Sequence, residues 1–308
     1  MTGRTRRAAR AATLRHAPQR VRSAIALAVL LVTAAADVLT AGAPRNGDVR
    51  PLPNREAFLR EVRKRLRSDQ AILQHYIYRR TQVDREHDRD GRVVSTRRRV
   101  WEVLPLPDQK DGIRVPLVLD GQPVPESTIA ERRQEHRDRL ARARRDAQNE
   151  SAGDRARREA RESEREREER ENVEDVVRLY KIDLLRRETV RGIECVLLTF
   201  TPRPEIEPRS RAGGILKHVA GRAWFSEREY ELVRVEAEVI GTIRYGWGIL
   251  ARINQGASAE IDRQRTADGR WLPHKYEWQG SGRLLLVKGL RRDTTVTFSD
   301  YRPFELFE

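Results

Sequence analysis

The chain has 308 residues and a single cysteine, which excludes a disulfide framework and any cysteine-based zinc or iron–sulfur site. Its formal net charge is +15, but arginine outnumbers lysine 56 to 6 along the whole chain. Such an even bias differs from the concentrated basic patch of a nucleic-acid-binding protein, so we expect no nucleic-acid partner. Beyond residue 45 no apolar run reaches membrane-spanning length, which excludes a protein with several spans.

The first 36 residues have the pattern of an export signal. Seven arginines precede the apolar stretch 23–36, which is shorter than the roughly 20 residues of a membrane-spanning helix. Ala34 and Ala36 put small residues at the two positions that a signal peptidase reads, and Asp37 follows. The pattern predicts a signal peptide over 1–36 and a periplasmic location. An uncleaved signal would instead anchor the chain in the inner membrane.

A linker and a helix are predicted next. Residues 37–53 are rich in proline and glycine, and Asn54 is suited to cap a helix that follows it. Apolar residues then recur at spacings of one, three and four, which places them on one stripe of a helix over 54–70. They are Phe58, Leu59, Val62 and Leu66. The narrow stripe predicts a helix that lies over an apolar surface.

From residue 73 onwards the apolar pattern alternates with period two, which is typical of half-buried strands. Asp90-Gly91, Asp120-Gly121, Arg191-Gly192 and Asp268-Gly269 favour tight turns between them. About a dozen strands follow one another, linked mostly by hairpins. Their predicted ranges are 73–86, 93–104, 113–119, 180–184, 193–200, 221–226, 230–240, 247–254, 257–266, 271–279, 283–290 and 294–301.

The segment 126–175 interrupts this pattern. Thirty of its fifty residues are charged, 14 basic and 16 acidic, so it has little to bury. Acidic and basic residues four apart in the favoured order, such as Glu135 and Arg139, support helix by roughly 0.2–0.5 kcal/mol per pair. We expect two exposed helices broken near 149–153, or a polar segment that is partly disordered. In either case its removal should leave the remaining domain folded.

The predicted fold class is α+β and mostly β. One large, curved antiparallel sheet forms an unclosed half-barrel, with an N-terminal lid helix and the long charged insert. The predicted domains are the signal peptide 1–36, the linker 37–53 and a single domain over 54–308 that 126–175 interrupts.

No catalytic constellation emerges from the sequence. The six histidines are scattered, and none lies at metal-ligand spacing from another histidine or from the cysteine. The nucleophile-elbow and zinc-protease motifs are also missing. Cys195 lies in an apolar strand, as expected of a core residue. We therefore predict a protein that is not an enzyme and has neither a metal site nor a cofactor.

The remaining candidate for a function is apolar. All five tryptophans fall on predicted strands or at their ends, where they either fill a core or line a cavity beneath the helix. A greasy cavity binds acyl chains without any catalytic group, because each buried methylene contributes about 0.8 kcal/mol. Alternation gives the candidate cavity residues Trp101, Phe200, Trp224, Val233, Val235, Trp278 and Leu285, with Phe58, Val62 and Leu66 as the lid.

The order of elements, together with several short motifs, resembles the LolA/LolB-like periplasmic lipoprotein-carrier superfamily, and most closely its uncharacterised exported branch. The resemblance spans about 54–124 and 178–304. The motifs are Tyr76-Ile77-Tyr78, Trp101-Glu102-Val103, Asp120-Gly121-Gln122-Pro123, Arg191-Gly192, Pro202-Arg203-Pro204, Gly221-Arg222-Ala223-Trp224-Phe225, Asp268-Gly269-Arg270-Trp271-Leu272-Pro273 and Ser299-Asp300-Tyr301-Arg302.

The resemblance implies an unclosed antiparallel barrel, capped by helices, that binds lipoprotein acyl chains in its hollow. The leading functional hypothesis is a non-catalytic carrier or receptor for a lipid or a lipidated protein. A second is an envelope scaffold or sensor whose segment 126–175 contacts a protein partner. A third is a binder of anionic lipids or envelope polymers through exposed arginines.

Overall fold

A computed structural model describes residues 50–107, 109–210, 212–245, 251–284 and 290–305. The predicted signal peptide and most of the linker lie outside the described residues. The described helices are α1 (Arg55–Arg65), α2 (Asp69–Leu73), α3 (Glu126–Gln148), α4 (Ala152–Leu179) and α5 (Gly213–Leu216). Every helix within these ranges is too short or too polar to cross a lipid bilayer.

The described strands form one antiparallel sheet. They are β1 (Tyr76–His87), β2 (Val93–Leu106), β3 (Gln109–Leu119), β4 (Gln122–Pro123), β5 (Tyr180–Val190), β6 (Ile193–Pro202), β7 (Val219–Ser226), β8 (Leu232–Val239), β9 (Ile243–Tyr245), β10 (Ala251–Ile253), β11 (Ser258–Arg265), β12 (Trp271–Leu284) and β13 (Leu290–Pro303). Their order is β4-β3-β2-β1-β13-β12-β11-β8-β7-β6-β5, and the short β10 pairs with β12 and β9.

The sheet does not close into a barrel, as the sequence predicted. Within the described ranges, the edge strands β4 and β5 make no hydrogen bonds to each other. The charged insert connects these two edges, because α3 follows β4 and α4 leads directly into β5. The first strand β1 pairs along its length with the last strand β13, so both ends of the domain meet in the middle of the sheet.

Two hairpin turns lie where the sequence predicted them. Asp120 and Gly121 have φ angles of 51° and 85°, and Arg191 and Gly192 have 49° and 79°. Positive φ at both central residues matches the right-handed twist of the flanking strands. The Asp-Gly and Arg-Gly pairs therefore fix the β3–β4 and β5–β6 connections.

The predicted helix over 54–70 is two helices. Asn54 caps α1 as expected, its side chain accepting a hydrogen bond from the Ala57 amide. The backbone becomes extended at Leu66, and Ser68 caps α2 by accepting from the Ala71 amide. The first helix ends before residue 70 because Ser68, a residue type that favours the N-cap position, begins a second helix.

The ends of the strand predicted over 283–290 are wrong. Gly280-Ser281-Gly282 and 291–293 were expected to turn the chain, but β12 continues through the first stretch and β13 through the second, and 285–289 lie outside the described residues. A Cβ atom on Gly280 would lie 2.7 Å from the Cβ of Ala257. The glycine is therefore explained by close backbone approach within the sheet rather than by a turn.

The two faces of the sheet carry different clusters. On the inner face, the main core joins α1, α5 and the end of α4 to β5–β8 and β11–β13. On the outer face, a smaller cluster contains Cys195, Leu197, Trp224, Val233 and Trp271. A third cluster packs Ile129 of α3 against β2 and β3, beside the ring of His136, which contacts the Pro105 carbonyl at 2.8 Å.

The charged insert is helical but is not a separable appendage. Its two helices break at 149–151, within the predicted stretch 149–153. However, Asp175 is completely buried and accepts hydrogen bonds from the backbone amides of Arg209 and Ser210 at 2.6–3.0 Å. The expectation that 126–175 could be removed at little cost is therefore wrong, because its charged composition hid a buried anchor.

Candidate functional site

A cavity of about 170 Å³ lies between the inner face of the sheet and the helices α1 and α4. Its lining is largely apolar. The sheet contributes Tyr180, Ile182, Leu198, Phe200, Ala223, Phe225, Leu232, Val235 and Ile261. The helices and the α5 region contribute Leu59, Val62, Leu66, Val173, Val176, Val177, Ala212 and Leu216.

Strand alternation explains the sheet side of the cavity. On β6, Leu198 and Phe200 lie on the inner face, whereas Cys195 and Leu197 lie in the outer cluster. On β7, Ala223 faces the cavity opposite Val235 of β8, since paired residues of neighbouring strands share a face. The small side chain of Ala223 leaves part of the space empty.

Polar residues that bond to one another form the remaining lining. Glu169 of α4 accepts hydrogen bonds from the Ser68 amide at 2.7 Å and from the Ser68 hydroxyl at 2.9 Å. Arg263 of β11 donates to the Arg67 carbonyl at 2.8 Å and pairs with Asp69. These contacts tie α4 and β11 to the short connection between α1 and α2.

Asp69 and Arg263 are both almost completely buried, with exposed fractions of 2% and 3%. The Tyr276 hydroxyl donates a hydrogen bond to the carboxylate of Asp69. Burial, reinforced by the Asp69 charge, raises the pKa of Tyr276 well above its usual value, so the phenol stays protonated. The pair needs this support because a buried ion pair offsets its desolvation cost only when further hydrogen bonds satisfy it.

The size of the cavity limits what fits without movement. Its 170 Å³ is close to the roughly 150 Å³ of an engineered apolar cavity that holds benzene. It is smaller than the roughly 300–1,000 Å³ of pockets that enclose drug-sized ligands. The cavity therefore accommodates the end of an acyl chain, and a whole chain needs more space than it encloses.

Four of the residues predicted from the sequence line this cavity. Phe200 and Val235 come from the sheet, and Val62 and Leu66 come from the α1 region. Phe58 is 2% exposed and packs in the core against the ring of Tyr230, with centroids 5.5 Å apart, so it anchors α1 beside the cavity.

The structure places Trp224 and Val233 in the outer-face cluster, which corrects their prediction as cavity residues. Trp224 pairs with Arg234 and Phe225 pairs with Leu232, so Val233 is the extra residue of a β-bulge. The bulge shifts the alternation of β8 by one residue. Leu232 consequently faces the cavity in place of Val233.

The two other candidates that the structure describes, Trp278 and Trp101, do not line the cavity. Trp278 lies partly buried at the edge of the main core. Trp101 lies against two guanidinium groups, with its ring centroid 5.6 Å from Arg80 and 5.5 Å from Arg99. Leu285 lies outside the described residues. The tryptophans were selected by alternation, and a one-residue shift in register moves a side chain to the opposite face of its strand.

Sequence reasoning missed the contribution of α4. Val173, Val176 and Val177 recur at spacings of three and one, which is the stripe of a helix that covers an apolar surface. The predicted insert ended at 175, so this stripe was divided between the insert and the strand that follows. The valine spacing is visible in the sequence, but it lies at the end of a long charged segment.

The described residues contain no group of three or more histidine, cysteine or acidic side chains that could hold a metal ion. Burial raises the pKa of the Cys195 thiol to about 11, so the side chain is neutral in its outer-face cluster. The chemistry that the cavity offers is therefore apolar burial with a polar, hydrogen-bonded rim.

Neither a family model nor a curated protein matches the chain. Among solved structures it is similar to a LolA superfamily protein from Nitrosomonas europaea, at 10% identity and a TM-score of 0.27, over 81% of this chain and 93% of that one. It is also similar to a DUF1329 family protein from Desulfovibrio piger, at 11% identity and a TM-score of 0.29, over 80% of this chain and 92% of that one. A third similar structure is a putative outer membrane lipoprotein-sorting protein domain from Vibrio parahaemolyticus, at 10% identity and a TM-score of 0.26, over 76% of this chain and 86% of that one. At identities of 10–11% and TM-scores of 0.26–0.29, these similarities assign neither a family nor a function to the chain.

Proposed function

We propose that the protein is a non-catalytic carrier or receptor that binds an acyl chain of a lipid or lipidated protein in the cavity beneath α1 and α4. The observation that carries this proposal is the cavity itself, an apolar space left unfilled between the sheet and two helices. Each methylene transferred into it contributes about 0.8 kcal/mol. Binding therefore needs no covalent step and no cofactor.

Release and uptake require a lid, and the α1–α2 connection supplies one. Leu66 lines the cavity at the point where the backbone leaves α1 in an extended conformation. The adjacent Ser68 donates two hydrogen bonds to Glu169 of α4, and Arg63 of α1 pairs with Glu174 of the same helix. Opening both contacts would separate α4 from α1 and lengthen the cavity for the rest of the chain.

The same proposal locates this activity outside the cytoplasm, in the periplasm. Its support is the arginine-rich start and the apolar stretch 23–36, with cleavage expected near Asp37. A periplasmic carrier meets lipids and lipidated proteins that have crossed the inner membrane.

The test is a titration with a fluorescent fatty acid that unlabelled fatty acid displaces. Two valines of β8 form a matched pair, because Val235 lines the cavity and Val233 lies in the outer-face cluster. Val235→Phe should fill the cavity and weaken probe binding about tenfold or more, since the displaced methylenes are worth about 0.8 kcal/mol each.

Val233→Phe should leave the probe affinity unchanged while lowering stability by about 1–3 kcal/mol through overpacking. Circular dichroism establishes that both variants are folded. Equal binding by wild type and Val235→Phe, or no saturable binding by wild type, would contradict the carrier proposal. The latter result would favour the scaffold hypothesis for the charged helices.

A further inference from the structure

A second region of the inner face is basic rather than apolar. Arg80 of β1 pairs in register with Trp101 of β2 on one side and with Phe298 of β13 on the other. Phe298 belongs to the main core, so Arg80 and Trp101 lie on the inner face. Two more arginines lie on this face. Arg99 of β2 pairs with Gln82 of β1. Arg114 of β3 pairs with Val103 of β2, which in turn pairs with Tyr78 of β1.

The three arginines, Arg80, Arg99 and Arg114, form what we call the arginine cluster. The guanidinium carbons of Arg80 and Arg99 both lie about 5.5 Å from the Trp101 ring centroid, at 5.6 and 5.5 Å. Burial, with a further contribution from the charge of Arg114, lowers the pKa of Arg80 to about 10. The environment of Arg80 thus disfavours a positive charge that its guanidinium still carries at neutral pH.

The acidic side chain nearest to this cluster is already engaged. Asp84, with an exposed fraction of 1%, accepts hydrogen bonds from Gln82 at 3.0 Å and Thr294 at 2.7 Å and pairs with Arg99. Although burial acts to raise the pKa of Asp84, these hydrogen bonds hold it below its usual value. The carboxylate therefore compensates Arg99.

Arg80 has no such compensation among the described residues. It donates a hydrogen bond to the amide oxygen of Gln82 at 3.1 Å, and its other neighbours include the Trp101 ring and the neutral phenols of Tyr78 and Tyr276 rather than a carboxylate. A half-buried cation without a counter-ion is costly unless an anion pairs with it. Because the side chain is only half buried, a ligand in solution can reach it.

We infer that the arginine cluster and Trp101 form a binding site for a phosphate group. Arg80 supplies the charge that no acidic side chain pairs with, and the oxygens of a phosphate can also accept from neighbouring guanidinium groups that are already paired, because each guanidinium carries five donors. The phosphate could belong to a lipid headgroup or be free in solution. The site lies apart from the apolar cavity, since neither Arg80 nor Trp101 lines it, and it does not depend on acyl-chain binding.

Titration with inorganic phosphate at low salt, followed by tryptophan fluorescence and by the melting temperature, tests the site. Wild type should show a saturable fluorescence change and a melting temperature that rises with phosphate concentration. High salt should weaken both effects by screening. Absence of both for inorganic phosphate and for short-chain phosphatidylglycerol would overturn the inference.

Neighbouring arginines of β1 give a matched pair of variants. Arg80→Gln should weaken phosphate binding about tenfold or more, as expected for the loss of a charge-assisted hydrogen bond. Arg79→Gln lies on the opposite face, where Arg79 pairs with Asp300 at 2.7 Å, and should bind as wild type does. Unchanged affinity in folded Arg80→Gln would contradict the inference. If that variant does not fold, the wild-type titration alone decides.

Two further arms separate the possible sources of the phosphate and the two proposals. Binding of short-chain phosphatidylglycerol but not inorganic phosphate would support the site and assign it to a lipid headgroup, whereas equal binding would support a site for free phosphate. Val235→Phe should block the fatty-acid probe and leave phosphate binding intact, and Arg80→Gln should do the reverse. Failure of one proposal is thus distinguishable from failure of the other.

Discussion

Leu197 and Leu198 are consecutive residues of β6 whose side chains lie on opposite faces of the sheet. Leu197 is completely buried in the outer-face cluster, and Leu198, 3% exposed, borders the cavity. Truncation of either to alanine removes three buried carbons, which costs about 2.4 kcal/mol at about 0.8 kcal/mol each. Leu197→Ala should lose more stability than this, because truncation in a filled core also creates a new void.

We expect Leu197→Ala to lower the free energy of unfolding by about 4–5 kcal/mol, near the upper end for buried leucines. Leu198→Ala should cost only about 2–3 kcal/mol, because its side chain lacks packing partners on the cavity side. Urea unfolding of both variants, with the slope against urea checked for constancy, measures the difference. Equal losses, or a larger loss for Leu198→Ala, would refute the existence of an unfilled cavity beside β6.

Other predictions concern the charged insert and two histidines. Asp175→Ala should lower the free energy of unfolding by about 3 kcal/mol, because two backbone amides lose their buried acceptor. Glu166→Ala, at an exposed position of the same helix, should change it by less than about 0.5 kcal/mol. Equal small effects of both variants in urea unfolding would contradict the anchoring role of Asp175. NMR titration should find the pKa of His87 raised by its contacts with Gly91 and Asp293, and that of His136 lowered by burial. His136 then favours folding fully above its unfolded pKa, about 6.5, and progressively less as the pH falls below it. His136→Asn should therefore lose less stability than wild type between pH 7 and pH 5, and an equal loss would count against this assignment.

Period-two alternation was sufficient to predict the antiparallel sheet, because most strands bury one face and connect through tight turns. The turns at Asp120-Gly121 and Arg191-Gly192 lie where the residue types require positive φ. Alternation failed on β8, where the bulge at Val233 carries no glycine or proline to announce it. Half of the β8 prediction was consequently placed on the wrong face.

The lid was predicted only in part for a different physical reason. Composition averaged over 126–175 described an exposed surface, yet α4 ends in a valine stripe that covers the cavity, and Asp175 is buried among backbone amides. A charged side chain can be buried when several donors surround it, and those donors come from a distant loop. Local sequence does not contain that information.

The arginine cluster was not predicted, because its members lie on three different strands and meet only through a register that local sequence does not contain. Arg80 lies two residues after Tyr78, which packs against the main core, so the inner face changes from apolar to basic along β1. Trp101 was predicted to line the acyl-chain cavity and does not; its ring instead lies against Arg80 and Arg99. Its contribution to ligand binding stays a prediction.

The most direct test of the central claim locates an acyl chain inside the protein. Protons at the methyl end of a bound fatty acid should give intermolecular nuclear Overhauser contacts, which reach only neighbouring atoms, to the methyl groups of Leu198, Val235 and Ile261, which line the cavity. The methyl groups of Leu197 and Val233, on the opposite face of the same strands, should give none. The account predicts contacts that grow to saturation with fatty acid. Contacts to Leu197 and Val233 instead, or none to the cavity residues at saturating fatty acid, would contradict acyl-chain binding beneath α1 and α4.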